Sequence, residues 1–344
     1  MLKYLKDLCL MDGVSSFEDN VRDYIVNIAS KYADDMRIDA MGNLIVFKKG
    51  KKSVEGGLML AAHMDEVGFM VKKIEDDGYL RFVPVGGIDP RVVMGRRVFV
   101  GDGMVPGVLG LKAYHLVSKE EEKKVPAFTQ MYIDIAAPDK DAAMKKVKLG
   151  DKIVFDSDFV EFGENMIKAK AIDDRAGCAI MLNLLTQDLP CDVTFAFTVQ
   201  EEVGCRGAFA ASFSVHPAYA LVLEGTTCAD ISTVPAEKKV CQLRKGPVIG
   251  CMDGSTIYDK ALFDMTTALA DEAGIPWQIK RYISGGTDAS VIQRSREGVR
   301  VANISVPVRY LHSPSTVAYK KDIDNAYKLA QLFIEAVAEG KAGK

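Results

Sequence analysis

The sequence predicts an α/β protein whose alternation of helices and strands is interrupted by a β-rich insert. Three observations carry that expectation. Lys170-Ala-Ile-Asp173-Asp174-Arg175-Ala-Gly177 and Val199-Gln200-Glu201-Glu202-Val203-Gly204 are separated by a helical stretch, Ala176–Thr186, and an alternating apolar run, Asp192–Val199. Acidic pairs therefore stand at the entrance to a helix and the exit of a strand, where ligands of open α/β sheets gather. Between Gly68 and about Glu164 the texture changes to short strand-like runs parted by Gly and Pro, the pattern of a small barrel or sandwich.

Composition narrows the class. A chain of 344 residues, 48% hydrophobic and 26% charged, can hold two domains. Net charge −3, with Lys and Arg scattered among acids, gives no reason to expect nucleic acid or an anionic membrane as partner. The run Met1–Leu10 is amphipathic, too short and too charged for a signal peptide, and no stretch approaches the roughly 20 apolar residues of a membrane span. The 7 cysteines are dispersed and odd in number, which reads as reduced thiols. The expected location is cytoplasmic.

In chain order, residues 2–10 and 16–32 show helical spacing, with Ser15 or Ser16 as N-cap of the second. Strands are expected at Met36–Asp39 and Asn43–Phe47 around Met41-Gly42, and at Gly57–Ala62, which runs into His63-Met-Asp65-Glu66. Within the β-rich segment the runs are Phe69–Ile74, Tyr79–Val85, Arg91–Val100, Met104–Leu111, Gln130–Ile135 and Lys152–Asp156. Ser118–Lys124 reads as a solvated loop and Asp139–Lys146 as a helix. Later come a strand Leu221–Leu223 ending at Glu224, a helix Ala261–Ala273 stopped by Gly274-Ile-Pro276, and a strand Trp277–Tyr282. The loop Ser284–Asp288 opens a helix through Ser295, Val301–Val306 is a strand leading to His312, and Asp322–Ala338 closes the chain as a helix. If His63 and Asp173 serve one site, the β-rich segment must leave and return to one place, so it is an inserted domain.

His63, Asp173, Glu202, Glu224 and His312 fall at strand ends or loops. Two imidazoles and three carboxylates suit two divalent ions with one carboxylate shared. Such a pair, roughly 3.5–4 Å apart, would share a hydroxide and polarise a carbonyl. Asp65, two residues beyond His63, would accept the histidine's other N–H if the strand continues. Alternation points Glu201 and Glu202 apart, so one is expected to be a ligand and the other a general base. His115 and His216, lone histidines outside the motifs, read as structural. Cys178, Cys205 and Cys228 read as small packing residues, and Asp174 as a helix cap. Asp288 reads equally as an N-cap or as pocket lining; Arg309 and Arg175 read equally as partners of site carboxylates or as substrate contacts.

An ordered set of motifs runs nearly the length of the chain: Asp12-Gly-Val-Ser-Ser-Phe-Glu18, Ala61-Ala-His63-Met-Asp65-Glu66-Val-Gly68-Phe, Gly86-Gly-Ile-Asp89, Ile133-Asp-Ile135, Val147-Lys-Leu-Gly-Asp151, Asp173-Asp174-Arg175, Glu201-Glu202-Val-Gly204, Gly286-Thr-Asp288-Ala and Pro307-Val-Arg-Tyr310-Leu-His312-Ser. Together they resemble the dinuclear-metal aminopeptidases that assemble into tetrahedral dodecamers, the TET-type family. The resemblance implies a mixed-sheet metallopeptidase catalytic domain with helices on both faces at residues 1–67 and 162–344, and an inserted β-barrel-like dimerisation domain at 68–161. It places His63 and Glu224 on one side of the metal pair, Glu202 and His312 on the other, and Asp173 between them. It makes Glu201 the base, Asp65 the orienter, and the peptide after Asp173 cis. Gly286, Thr287, Asp288 and Arg309 are the expected substrate contacts. Two departures stand out: Glu224, followed by Gly-Thr-Thr, occupies a position where the family usually has Asp, and Ser315-Thr316 stand where an acid is common. A glutamate, one methylene longer, still reaches a metal.

The expected function is thus a cytoplasmic metallo-aminopeptidase with two divalent ions, Zn²⁺ or Co²⁺, removing N-terminal residues from short peptides as a homo-oligomer, dimers building a dodecamer. Paired carboxylates also serve glycoside hydrolysis, so an endoglucanase-like enzyme is one alternative, which the two histidines disfavour. A non-catalytic assembly protein on the same fold is another, which the complete ligand set disfavours.

Overall fold

Two amphipathic helices lead the chain in the computed structural model, which describes residues 1–343. α1 (Leu2–Leu10) buries Leu5, Leu8 and Cys9, and α2 (Asp19–Ala29) buries Val21, Ile25 and Ala29, each at the three-to-four-residue spacing of one helix face. α2 starts later than its pattern suggests, and neither serine caps it. Ser16 lies in the left-handed region (φ 78°), and the Ser15 hydroxyl donates instead to Asp65 at 2.5 Å. β1 (Asp35–Ile38) and β2 (Leu44–Lys48) form a hairpin, and β3 (Leu58–His63) is buried throughout.

The chain then leaves the sheet. β4 (Gly68–Ile74), β5 (Leu80–Val85), β6 (Arg97–Val100), β7 (Val105–Gly110), β8 (Tyr132–Asp134) and β9 (Lys152–Phe155) close into a barrel in the order β4-β5-β8-β7-β6-β9. Its core is its own: Phe69 meets Phe82, Phe128 and Phe155 edge-on, with centroids 4.9, 5.9 and 5.4 Å away. The expected strand Arg91–Val100 is half turn, because Asp89 accepts the Arg91 N–H at 2.9 Å and Pro90 opens a 3₁₀ turn. Where a loop was expected, Ser118 and Glu121 cap each other around the exposed α3 (Lys119–Glu122). α4 (Lys140–Met144) begins at the Asp139 cap.

On its return the chain forms β10 (Val160–Phe162), β11 (Met166–Ala169), α5 (Ile172–Leu185), β12 (Val193–Thr198), α6 (Arg206–Val215) and β13 (Tyr219–Thr227). β14 (Val248–Ile249), α7 (Lys260–Glu272), α8 (Ala289–Ile292), β15 (Arg300–Arg309), β16 (Thr316–Tyr319) and α9 (Lys320–Ala338) complete it. The mixed sheet runs β1-β2-β12-β3-β13-β15-β16-β11-β10, with β14 beside β15. β12, β3, β13 and β15 are parallel to one another at its centre, and they are the strands that aim their carboxyl ends at one place.

Alternation along these central strands sorts side chains by size. Leu58, Leu60, Phe195, Phe197, Leu221 and Leu223 pack toward α1, α2, α5, α7 and α9. Their neighbours Met59, Ala61, Ala196, Ala220 and Val222 pack toward Ala208 and Ala211 of α6 and Ala289 and Ile292 of α8. Both faces are covered, which is why these strands read as continuous apolar runs. Two strand expectations need correction. β13 does not end at Glu224 but continues to Thr227 against β15, after β3 stops pairing with it at Val222. Trp277–Tyr282 is no strand: its ladder is a single bridge between Gln278 and Val248, and the rest lies half-buried or exposed. No described helix is long and apolar enough to cross a membrane.

Candidate metal centre

The carboxyl ends of the parallel strands deliver the acidic and imidazole side chains to one cleft. β3 ends on His63; β12 ends at Thr198 and turns through a left-handed Gln200 (φ 58°); β13 carries Glu224 past the end of its pairing with β3. Asp173 and Asp174 precede the regular part of α5, with non-helical backbone angles and a cis peptide between them. His312 lies on the loop after β15, also left-handed (φ 57°). These turns, not strand alternation, separate Glu201 from Glu202. Glu202 faces His312, whereas Glu201 lies with Cys205 and Asp288.

Asp173 is central. Its Oδ1 lies 3.4 Å from His63 Nε2, and its Oδ2 lies 3.6 Å from His312 Nε2. His63 Nε2 is also 3.1 Å from Glu224 Oε1, and His312 Nε2 is 3.2 Å from Glu202 Oε2. The opposite ring nitrogens are engaged by backbone carbonyls, His63 Nδ1 with Asp65 O at 3.0 Å and His312 Nδ1 with Gly87 O at 2.7 Å. A neutral imidazole that donates from Nδ1 presents a bare lone pair at Nε2. Both Nε2 atoms then face only carboxylate oxygens, an arrangement of acceptors that a cation between them resolves.

The charge balance says the same. Lys170 and Arg175 flank the acidic pair in sequence, yet Lys170 Nζ donates to Glu66 at 2.5 Å and Met11 O at 2.6 Å, while Arg175 donates to Leu8 O at 2.5 Å and lies 3.5 Å from Glu66. Arg175 therefore contacts neither the clustered carboxylates nor the cleft. Asp173 Oδ1 is buried without a hydrogen-bond partner. Burial alone would lower His312, but hydrogen bonds and charge from Asp173 and Glu202 push it up to about 11. The same negative field favours a divalent cation. The donor set of two imidazoles and three carboxylates fits zinc-like ions.

Asp65, fully buried, ties the cluster together. Its Oδ1 accepts the Glu201 N–H at 3.0 Å and lies 3.3 Å from His63 Nδ1; its Oδ2 accepts the Glu202 N–H at 3.2 Å and the Ser15 hydroxyl. The strand stops at His63, so this proximity comes from the turn and not from continued alternation. Burial is the largest influence on Glu201; His63 opposes it, Asp288, Glu202 and Asp173 add to it, and the carboxyl stands at about 8. Asp174 caps the helix through the Gly177 N–H at 2.9 Å and accepts the His63 N–H at 3.2 Å.

A cleft of about 380 Å³ opens over this cluster. Gly286 and Thr287 line it. Asp288 does not: it is 1% exposed, gives no side-chain cap to α8, and accepts the Thr198 hydroxyl at 2.6 Å. Arg309 also lies off the cleft, paired with Asp230 at 2.6 and 2.8 Å. Cys205 lines the cleft and donates to Glu201; Cys178 donates to His63 O; Cys228 lies 3.3 Å from Cys241 Sγ. His216 is exposed beside Glu297, and His115 is exposed.

Three contributors escaped the sequence reading: Ser15, Gly87 and Lys280. Gly87 belongs to the β-rich insert, and its neighbour Gly86 has φ 82°, with a Cβ there falling 2.8 Å from Val67 and 3.3 Å from Glu202 Cβ. Gly86-Gly87 stood within a quoted motif, but nothing in sequence showed that a carbonyl was the useful atom.

Comparison with known proteins bears on the site. Residues 42–329 match the M42 glutamyl aminopeptidase family. The lysyl aminopeptidase of Pyrococcus furiosus is 33% identical over 342 residues, 96% of each chain. The structure of an aminopeptidase from the archaeon Desulfurococcus kamchatkensis superposes with a TM-score of 0.92 at 37% identity, covering 97% of this chain and 94% of that one. The Pyrococcus horikoshii TET1 peptidase, which can assemble into a tetrahedron or a large octahedral shell, gives a TM-score of 0.84 at 34% identity, covering 96% and 98%.

Proposed function

The chain belongs to the M42 glutamyl aminopeptidase family and is a metal-dependent peptidase acting on N-terminal residues; from that premise we propose how its own residues divide the work. His63 and Glu224 would hold one divalent ion, Glu202 and His312 a second, and Asp173 would serve both. The observation that carries this is the aim of the two Asp173 oxygens, one at each imidazole. Family membership decides against the glycoside-hydrolase and non-catalytic readings.

When bound, the ions, Zn²⁺ or Co²⁺, supply Lewis acidity to the scissile carbonyl and the attacking water. Asp65 holds the turn that carries Glu201 and Glu202. The Glu201 carboxylate takes the proton of the attacking water and passes it to the departing amine nitrogen. Gly286 and Thr287 form part of the wall against which a short peptide lies. Cytoplasmic location and a homo-oligomer, with the barrel unit at residues 68–161 as the pairing surface and a dodecamer as the final particle, complete the proposal. The resemblance to a shell-forming peptidase supports the assembly.

Metal analysis of the purified protein, with chelation and metal restoration, tests this reading. Chelation should abolish hydrolysis of aminoacyl anilides and lower the melting temperature, because ions that bind only the folded chain stabilise it. Full activity in metal-free protein would overturn it. Light scattering should give a mass far above 37.6 kDa; a strict monomer would remove the assembly proposal.

A further inference from the structure

Two thiols meet behind the wall of the cleft. Cys228 follows the last residue of β13, and its N–H donates to Val308 O of β15 at 2.8 Å; Cys241 lies 13 positions further on. Their Sγ atoms are 3.3 Å apart. Cys241 donates to Thr227 O at 3.4 Å, so Cys228 is the donor between the two sulfurs. Both are buried, 7% and 1% exposed, in a small apolar cluster with Met166, Leu243, Val248 and Val317. The chain between them differs: residues 231–238 are exposed apart from a half-buried Val234, and they hold one short 3₁₀ turn, Ala236–Lys238.

Each sulfur belongs to a different segment of the wall. Thr226 and Thr227, just before Cys228, line the cleft. Cys241 sits between Val240, whose carbonyl accepts the Arg281 N–H at 2.9 Å, and Gln242, whose N–H donates to Gln278 Oε1 at 2.9 Å. The Gln242 carbonyl accepts from Gln278 Nε2 at 2.8 Å. Lys280, between those two anchor points, also lines the cleft. A bond between the sulfurs therefore ties the end of β13, which carries Glu224, to the segment that carries Lys280. Sulfurs in a disulfide lie about 2 Å apart, so bonding takes an approach of about 1 Å.

We propose that Cys228 and Cys241 form a redox-active dithiol, which small disulfides such as oxidised glutathione convert to a bridge that fixes the two wall segments to each other. Local opening of the exposed loop admits the reagent. One cysteine, as thiolate, attacks a sulfur of the small disulfide and expels its other half as a thiolate. The second cysteine then attacks the cysteine sulfur of that mixed disulfide and releases the remaining half. Two cysteine S–H bonds give up two protons and two electrons, one S–S bond forms in the protein, and the small disulfide leaves as two thiols. Until the loop opens, the reduced pair is protected. Hydrogen bonding to Cys241, then burial, push the Cys228 thiol well above its ordinary value, and the thiolate is the reactive form. The bridge does not depend on the aminopeptidase reading; its effect on turnover does.

The test treats the metal-loaded enzyme with oxidised glutathione, then denatures it in excess N-ethylmaleimide. Oxidised wild type should carry two fewer alkylated cysteines than reduced protein, no glutathione adduct at either position, and a peptide pair joined through Cys228 and Cys241. Its melting temperature should rise by about 2–5 °C and fall back with dithiothreitol. KM for an aminoacyl anilide should change by about 2- to 10-fold at unchanged metal content, and dithiothreitol should reverse it. Cys228→Ser and Cys228→Ala should show neither the rise nor the KM change, and Cys241 in them should stop at the glutathione adduct. Comparing oxidised with reduced wild type keeps the test decisive if both variants fail to fold. Two unreacted thiols, stable glutathione adducts in wild type, or a bridge between other cysteines overturns the proposal. A Cys228–Cys241 bridge that leaves KM unchanged overturns its hold on the cleft. No turnover on any aminoacyl substrate overturns the aminopeptidase reading, and thiol counting still decides the bridge.

Discussion

Asp65→Asn should disable the site without touching a proposed metal ligand. The carboxylate is 0% exposed, and its two oxygens serve Glu201 N–H, Glu202 N–H and the Ser15 hydroxyl at 3.0, 3.2 and 2.5 Å. Asparagine keeps the shape but replaces one oxygen with an NH₂ group. With the NH₂ at the Oδ1 position, Glu201 N–H faces a donor; with it at Oδ2, Glu202 N–H does, while the serine hydroxyl can turn to accept. One buried N–H left unpaired costs about 1–3 kcal/mol, and the surviving bonds weaken by about 1 kcal/mol on losing the charge. The expected loss of stability is therefore about 2–4 kcal/mol, read as a shift of the urea midpoint. The turn bearing the base relaxes as well, so kcat/KM should fall by about 10²-fold or more. Amide exchange should accelerate at Glu201 and Glu202 ahead of the β3 amides. Ser15→Ala, which removes one hydroxyl and leaves both N–H bonds, should show a smaller loss of about 1 kcal/mol. If Asp65→Asn matches wild type in midpoint and rate, the Gln200 turn is held by other contacts and the argument fails.

Three further perturbations separate roles in the same region. Glu201→Gln should retain metal while kcat falls about 10²–10⁴-fold, whereas Glu202→Gln should lose metal; the opposite pattern would exchange the two assignments. Gly86→Ala places a Cβ at φ 82° against Val67 and Glu202, so it should cost about 1–2 kcal/mol and reduce metal content as the Gly87 carbonyl leaves His312; unchanged metal content would deny that carbonyl its part. Lys152→Met breaks the 2.7 Å pair with Asp12 that joins the barrel to the N-terminal segment, and should cost about 1–3 kcal/mol. Burial opposes ionisation of Asp12, but hydrogen bonds from Lys152 and Asn20 hold its carboxyl below the usual value. A depressed acid stabilises the fold above its unfolded pKa and loses that effect as pH falls through its folded value. The gap between wild type and Lys152→Met in urea midpoint should thus be full at neutral pH and close below about pH 4; a gap that persists in acid would exclude the ion pair as its source.

What the sequence made legible follows the physics of each signal. The central strands were readable because burial on both faces leaves them uniformly apolar, and the leading and closing helices because one face repeats at helical spacing. The five acids and histidines His63, Asp173, Glu202, Glu224 and His312 stood out because such residue types at strand ends have few structural duties. Trp277–Tyr282 misled because alternation without a free neighbouring edge gives no ladder. Asp288 and Arg309 misled because a polar residue in a motif can equally serve a neighbour, here Thr198 and Asp230. Gly87 and Lys280 were silent: one acts through a carbonyl, which every residue has, and the other is one lysine among many until the fold sets it on the wall.

The insert's part in the site follows from the two histidines taken together. The β-rich unit gives no side chain to the cluster, so subunit pairing looks like its sole purpose from sequence. Yet the proton positions of the two imidazoles are set from different bodies. His63 is fixed by Asp65 O, two residues further along its own turn, whereas His312 is fixed by Gly87 O at the edge of the barrel. His312 stands on a left-handed loop and is more exposed than His63, so the Gly87 carbonyl is what holds its Nε2 toward Asp173 and Glu202. On the proposed assignment, an ion shared through Asp173 would require both bodies to be seated at once, because moving the barrel would turn one imidazole and leave the other in place. Docking contacts such as Lys152 with Asp12 would then bear on the proposed metal site, and any subunit pairing through the barrel would reach the chemistry by the same carbonyl.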